Sequence, residues 1–128
     1  MASDLTTALG LLGPLEGRIM RLVWRRHTGD LFTVRQLHGA LEDLAYTTVM
    51  TTMVRLAAKG LLEVEPGSGK AYRYRCSMTP QEFVATVGTE RVDGLIDRFG
   101  EVALVAFTRR LEGLGPEERR RLRRLGKE

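Results

Sequence analysis

Between Tyr46 and Lys59 the chain reads Tyr-Thr-Thr-Val-Met-Thr-Thr-Met-Val-Arg-Leu-Ala-Ala-Lys, and at helical pitch its side chains sort into two faces. Val49, Met53, Leu56 and Ala57 recur at helical spacing on one face, and Thr48, Thr51, Thr52, Arg55 and Lys59 recur on the other. The second face holds short hydroxyls, one Arg and one Lys, with no carboxylate. An ordinary solvated face mixes long Glu and Lys side chains. The chemistry open to such a set is recognition rather than catalysis. Threonine hydroxyls and methyls suit phosphate oxygens, base edges and thymine methyls, and arginine suits guanine or phosphate. The expected partner is therefore the major groove of a DNA duplex. The competing reading is a strand, because Thr and Val are β-branched.

A helix that displays one face needs other elements to hold it. Gly13-Pro14 starts a helix, with Pro14 at the first helical position and Glu16 near the positive dipole end. Leu15, Ile19, Leu22 and Val23 form its buried stripe, while Arg18, Arg21, Arg25 and Arg26 face either phosphate or solvent. Trp24 reads as a core or interface anchor. His27-Thr28-Gly29-Asp30 is a turn and Leu31-Phe32 a short extended piece. Thr33 caps a second helix with Val34, Leu37 and Leu41 inward, closed by Glu42 and Asp43. His38 falls beside that stripe and reads as partly buried. Leu44-Ala45 then turns into the threonine stretch. Two short helices joined by a short turn, the second presenting a polar face, form a helix-turn-helix.

After Gly60, a helix stop, Leu62 and Val64 alternate with Glu63 and Glu65. Pro66-Gly67-Ser68-Gly69 is a turn, and Tyr72, Tyr74 and Cys76 then alternate with Ala71, Arg73 and Arg75. This is a β-hairpin directly behind the helix-turn-helix, the wing of a winged helix. Lys70, Arg73 and Arg75 are candidates for DNA backbone contacts; alternatively the two arginines pair across the hairpin with Glu63 and Glu65. Cys76 reads as a small buried apolar residue.

Thr79-Pro80-Gln81-Glu82 is a helix start with a capping box. Phe83, Val84, Val87, Val92, Leu95, Ile96 and Phe99 give an apolar stripe ending at Gly100. A second helix carries Val102, Val105 and Leu111, and a third from Pro116 carries Leu122 and Leu125. Three helices in about 50 residues have too little interior for a separate core, so their stripes need a partner. The simplest is the same element of a second copy in a two-fold homodimer. The fold expected is mainly α with a small β-wing (α+β). The organisation expected is a mobile amino-terminal arm over residues 1–13, a winged helix over 14–77 and a helical dimerisation region over 78–128.

The composition fits this reading. The 128 residues are 43% apolar and 28% charged, with a net charge of +4. Residues 1–77 hold ten Lys and Arg against seven Asp and Glu, and 78–128 hold ten against nine, so the excess lies mostly on the proposed DNA half. The arginine cluster from Arg119 to Arg124 reads as solvated surface, with DNA contact as the alternative. No window approaches the roughly 20 apolar residues needed to cross a bilayer. The first residues lack a basic leader, and one cysteine rules out an internal disulfide. Together these predict a cytoplasmic protein with no metal and no cofactor. Phosphate loops, zinc-protease and serine-hydrolase motifs are absent, so no catalytic residue is assigned.

Three segments together resemble the penicillinase-repressor (BlaI/MecI/CopY) family: Leu12-Gly13-Pro14-Leu15-Glu16 with Ile19-Met20 and Trp24; Tyr46 to Met53 with Arg55-Leu56 and Lys59-Gly60-Leu61-Leu62; and Lys70-Ala71-Tyr72-Arg73-Tyr74. The resemblance is close over residues 12 to about 78 and looser beyond. It implies an amino-terminal winged helix, a carboxyl-terminal dimerisation region, and repression by a dimer on an inverted-repeat operator of TACA/TGTA character. It maps base contacts to Thr47, Thr48 and Thr51, with Arg55 near the backbone. In the penicillinase branch a membrane-bound sensor protease triggers induction and the repressor is cut before a Phe. The matching bond here is Ala106-Phe107, although Ala106 replaces the Asn of those members. The copper-responsive branch uses a carboxyl-terminal cysteine cluster that this chain lacks. The rival readings are a winged-helix regulator switched by direct small-ligand binding and a non-specific architectural DNA-binding protein.

Overall fold

The structure is a computed structural model that describes residues 3–66 and 72–126. Among these, helices α1 (Asp4–Gly10), α2 (Pro14–Trp24), α3 (Val34–Ala40) and α4 (Tyr46–Ala58) precede strands β1 (Leu62–Glu65) and β2 (Arg73–Cys76). Helices α5 (Pro80–Phe99), α6 (Glu101–Glu112) and α7 (Pro116–Gly126) follow. The chain divides into two compact units, Met1–Val87 and Gly88–Glu128.

The first unit is a winged helix. Its α1 packs on α2, both α2 and α3 pack on α4, and α4 packs on β1. Ile19, Met20, Leu37, Val49, Met53 and Leu56, all fully buried, are the facing stripes of α2, α3 and α4. β1 and β2 pair antiparallel with Leu62 opposite Cys76, Val64 opposite Tyr74 and Glu65 opposite Arg73. Phe32 adds a third, one-residue rung: its amide donates to the Tyr74 carbonyl at 2.9 Å, and the Tyr74 amide returns the bond at 2.8 Å. Both rings are buried, so the wing is seated on the core through this rung, and burial pushes the Tyr74 phenol pKa up.

Local chemistry sets the helix ends. Thr33 and Gln36 form a capping box on α3, and Thr79 and Glu82 form one on α5, each with both reciprocal bonds made. Gly60 ends α4 at φ 82, where the Leu61 amide reaches the Leu56 carbonyl at 3.0 Å, a left-handed stop that favours glycine. α2 ends in the same motif, but its left-handed residue is Arg26, at φ 58.

Three expectations are corrected. The amino-terminal segment is not an arm throughout: Asp4–Gly10 is helical, capped by Ser3, with Ala8 fully buried and Leu9, Leu11 and Leu12 packed on the core. So short a helix is marginal alone, and apolar contact with α2 supplies what propensity does not. The division between units falls after Val87 rather than Ser77. The Trp24 indole N–H donates to the Met78 carbonyl at 2.8 Å, and Phe83 lies 6.0 Å from the Trp24 ring. These contacts hold the first turns of α5 on the winged helix, so Phe83, Val84 and Val87 belong to that unit's interior rather than to the expected dimerisation face. Cys76 is also exposed rather than buried; its thiol donates to the Met78 carbonyl at 3.0 Å.

The second unit has little interior of its own. Ala103 is its one buried residue among those described, and Ile96 and Phe107 are half-buried. Val92, Leu95, Phe99, Val102, Leu104, Val105, Leu111, Leu122 and Leu125 are all exposed. Gly100 joins α5 to α6 at φ 61 and ψ −135, a backbone region closed to residues with a Cβ.

Candidate nucleic-acid interface

Three anchors place α4 on the surface of the first unit. The apolar stripe from Val49 to Leu56 fixes its inner side. At its amino end, His38 Nε2 donates to the Leu44 carbonyl at 2.9 Å and its ring meets Tyr46 edge-on at 5.6 Å, which sets the turn from α3. Arg18 holds the same turn through a bidentate pair with Asp43, at 2.7 and 2.8 Å. That guanidinium holds the Asp43 carboxyl below its ordinary pKa and is itself pushed up. At the carboxyl end Lys59 Nζ reaches Glu16 Oε1 of α2 at 2.8 Å.

The threonines then divide. Thr47 and Thr51 are exposed, and Thr48 is half-buried beside them. Thr52 is 3% exposed, and its hydroxyl donates to the Thr48 carbonyl at 2.7 Å, so it is lost from the reading face expected for it. At about 100° per residue Thr52 falls only ~40° from Leu56, which places it at the edge of the buried stripe. Lys59 is drawn off the same face by Glu16. What remains is a row of Thr47, Thr51 and Arg55, and Arg55 makes no ion pair among the described residues. The first turn of α4 carries no acid, and its cap residue, Ala45, offers no side-chain acceptor. Nothing along this row repels a polyanion.

A second row was not grouped as one by the sequence reading, which set only Met50 at the edge of the helix. Tyr46, Met50 and Val54 follow one another at every fourth position and are 46%, 40% and 55% exposed. The signal was present as three apolar residues outside the Val49–Leu56 stripe.

In the wing the basic residues separate. Arg75 lies 3.4 Å from both Glu63 and Glu65, so cross-strand pairing, the alternative to a backbone contact, is what the hairpin makes. Arg73, opposite Glu65 in register, is exposed and makes no ion pair among the described residues. Lys70 lies outside the described residues.

The sequence profile of the penicillinase repressor family matches residues 12–128. The chain belongs to the penicillinase repressor family. The transcriptional regulator BlaI of Mycobacterium tuberculosis, strains CDC 1551 and H37Rv, is 38% identical to it over 117 residues, covering 88% of this chain and 80% of the relative. A solved crystal structure of a transcriptional regulator aligns over 88% of each chain with a TM-score of 0.47 and 16% identity.

In this penicillinase-repressor chain the expected cleavage bond, Ala106-Phe107, sits inside α6, with Ala106 exposed and Phe107 half-buried. The expected dimerisation residues Val92, Leu95, Phe99, Val102, Val105 and Leu122 are exposed in the second unit. Although Cys76 is exposed as a residue, partial desolvation of its sulfur pushes the thiol pKa up from its ordinary value. No group of three or more metal-ligating side chains occurs among the described residues, and no described helix is long and apolar enough to cross a membrane.

Proposed function

We propose that the protein is a homodimeric transcriptional repressor that reads an inverted-repeat operator, each copy placing α4 in a major groove. The observation that carries this is the exposed, carboxylate-free row of Thr47, Thr51 and Arg55 on a helix pinned from both ends. Thr48 supports the row from its edge, and Thr47, Thr48 and Thr51 take the base contacts. Arg55 and Arg73 hold phosphates, a role the sequence gives Lys70 as well, and Arg75 acts chiefly as the hairpin's own cross-strand partner.

The homodimer rests on the exposed apolar residues of α5, α6 and α7, which a single chain leaves in water. Removing Phe99, Val102, Leu104 and Val105 from water at roughly 25 cal/mol per Å² favours association of two such surfaces. A dimer matches the two-fold symmetry of an inverted repeat. Derepression by a membrane sensor protease fits the family, and a cut at Ala106-Phe107 requires a turn or more of α6 to open first, because the bond is helical. The protein then works in the cytoplasm.

The test is selection by the purified full chain from a randomised duplex library. Enrichment of an inverted repeat bound by two chains is expected. Enrichment of no sequence, or of a single half-site bound by one chain, would refute the proposal.

A further inference from the structure

Two rows run side by side along α4. The polar row is Thr47, Thr51 and Arg55; the apolar row is Tyr46, Met50 and Val54. Residues four apart stack along one helix face, and Thr47 and Met50, like Thr51 and Val54, are three apart, so the two rows lie adjacent. Single exposed apolar side chains are common and need no account. Three in a continuous row are different, since they keep Val54 55% exposed and Tyr46 46% exposed on the surface read as facing DNA. The row is also held in place. Tyr46 is braced by the edge of His38 at 5.6 Å, and His38 is fixed by its bond to the Leu44 carbonyl.

In the major groove only thymine presents a methyl group, beside its O4 acceptor, and apolar side chains contact it directly. Hydroxyls and guanidinium groups read donors and acceptors; the Met50 and Val54 side chains beside them offer only apolar contact. We infer that the Tyr46–Met50–Val54 row recognises thymine 5-methyl groups in each half-site, with Met50 and Val54 as the specificity-determining contacts. The inference rests on α4 being the reading helix. It adds that specificity has two separable parts, a hydrogen-bonding part from the threonine row and a methyl-reading part from the apolar row. Val54, two turns from the amino end of α4, reads a step further along the groove than Tyr46 does. The flexible Met50 adapts to the methyl between them.

The test replaces each thymine of the duplex enriched by the wild-type chain with deoxyuridine, one at a time, which removes a methyl and nothing else. Wild-type affinity is expected to fall about fourfold at one or two positions per half-site, the ratio that corresponds to burying one methyl-sized group. Val54→Ala and Met50→Ala, both at exposed positions, are expected to keep the wild-type melting temperature and to retain only the threonine row's part of the preference for the enriched duplex over a scrambled one. Each is expected to bind the thymine and deoxyuridine duplexes equally at one of those positions. Equal wild-type affinity for both forms at every position, with the preference for the enriched over the scrambled duplex intact, overturns the inference and leaves α4 as the reading helix. A thymine preference that survives in both variants overturns it too. Loss of all sequence preference in the wild type overturns both.

Discussion

Phe83 and Phe99 lie on one helix sixteen residues apart and are expected to answer to different equilibria. Phe83 is 7% exposed and packs 6.0 Å from Trp24, whereas Phe99 is 52% exposed. Truncating a buried Phe to Ala removes its transfer free energy and leaves a cavity, together about 3–5 kcal/mol. Phe83 sits at the margin of the core, where the start of α5 can relax, so Phe83→Ala should cost about 3 kcal/mol. For a domain of this size that lowers the melting temperature of the first unit by roughly 12–24 °C. Trp24 is the only tryptophan in the chain, so its fluorescence reports this transition. Phe99→Ala should leave the Trp24 transition within about 0.5 kcal/mol of wild type. Its effect belongs to association, measured as a rise in the dimer dissociation constant by sedimentation, and as stability that depends on protein concentration. If Phe83→Ala weakens association while the Trp24 transition stays in place, α5 begins outside the winged helix and the placement of Phe83 is wrong.

Four further outcomes follow from the geometry. Thr51→Ala should weaken the enriched duplex by about 1–3 kcal/mol in a gel-shift titration and leave scrambled DNA nearly unchanged. Arg73→Ala should weaken both alike and flatten the salt dependence by about one charge per protomer; Arg75→Ala should flatten it less, because Glu63 and Glu65 already hold that side chain. Arg26→Gly should raise the thermal stability of the first unit by up to about 1 kcal/mol, since a side chain at φ 58 is strained and glycine is not. Arg18 depresses the Asp43 pKa in the folded state, so the pair contributes above the ordinary carboxylate range and its contribution vanishes as pH falls through the folded value. Thermal melts of wild type and Asp43→Asn should therefore differ slightly at neutral pH, as suits an exposed pair, and converge in strong acid.

Much of this protein was written in local patterns. The period of Ile19, Leu37, Val49, Met53 and Leu56, the capping residues Thr33 and Thr79, and the alternation around Tyr74 are short-range signals, and each names an element without reference to the others. The motif that identifies the family is equally local, because the residues of a recognition helix are consecutive. What needed the tertiary structure was every question of which surface a side chain meets. Thr52 and Thr51 are neighbours of one type, yet one points between α4 and the core and the other into solvent. Arg73 and Arg75 are equivalent by alternation and each has a glutamate opposite in register, yet Arg75 reaches both glutamates and Arg73 neither. Phe83 and Phe99 share an apolar stripe, and the contacts of Trp24 with Met78 and with the Phe83 ring assign Phe83 to the winged helix. Even α1 exists because its apolar side packs on α2, where Ala8 is buried. Periodicity fixes a residue's angle around its own helix; burial and pairing depend on what stands opposite, and that is set by the packed whole.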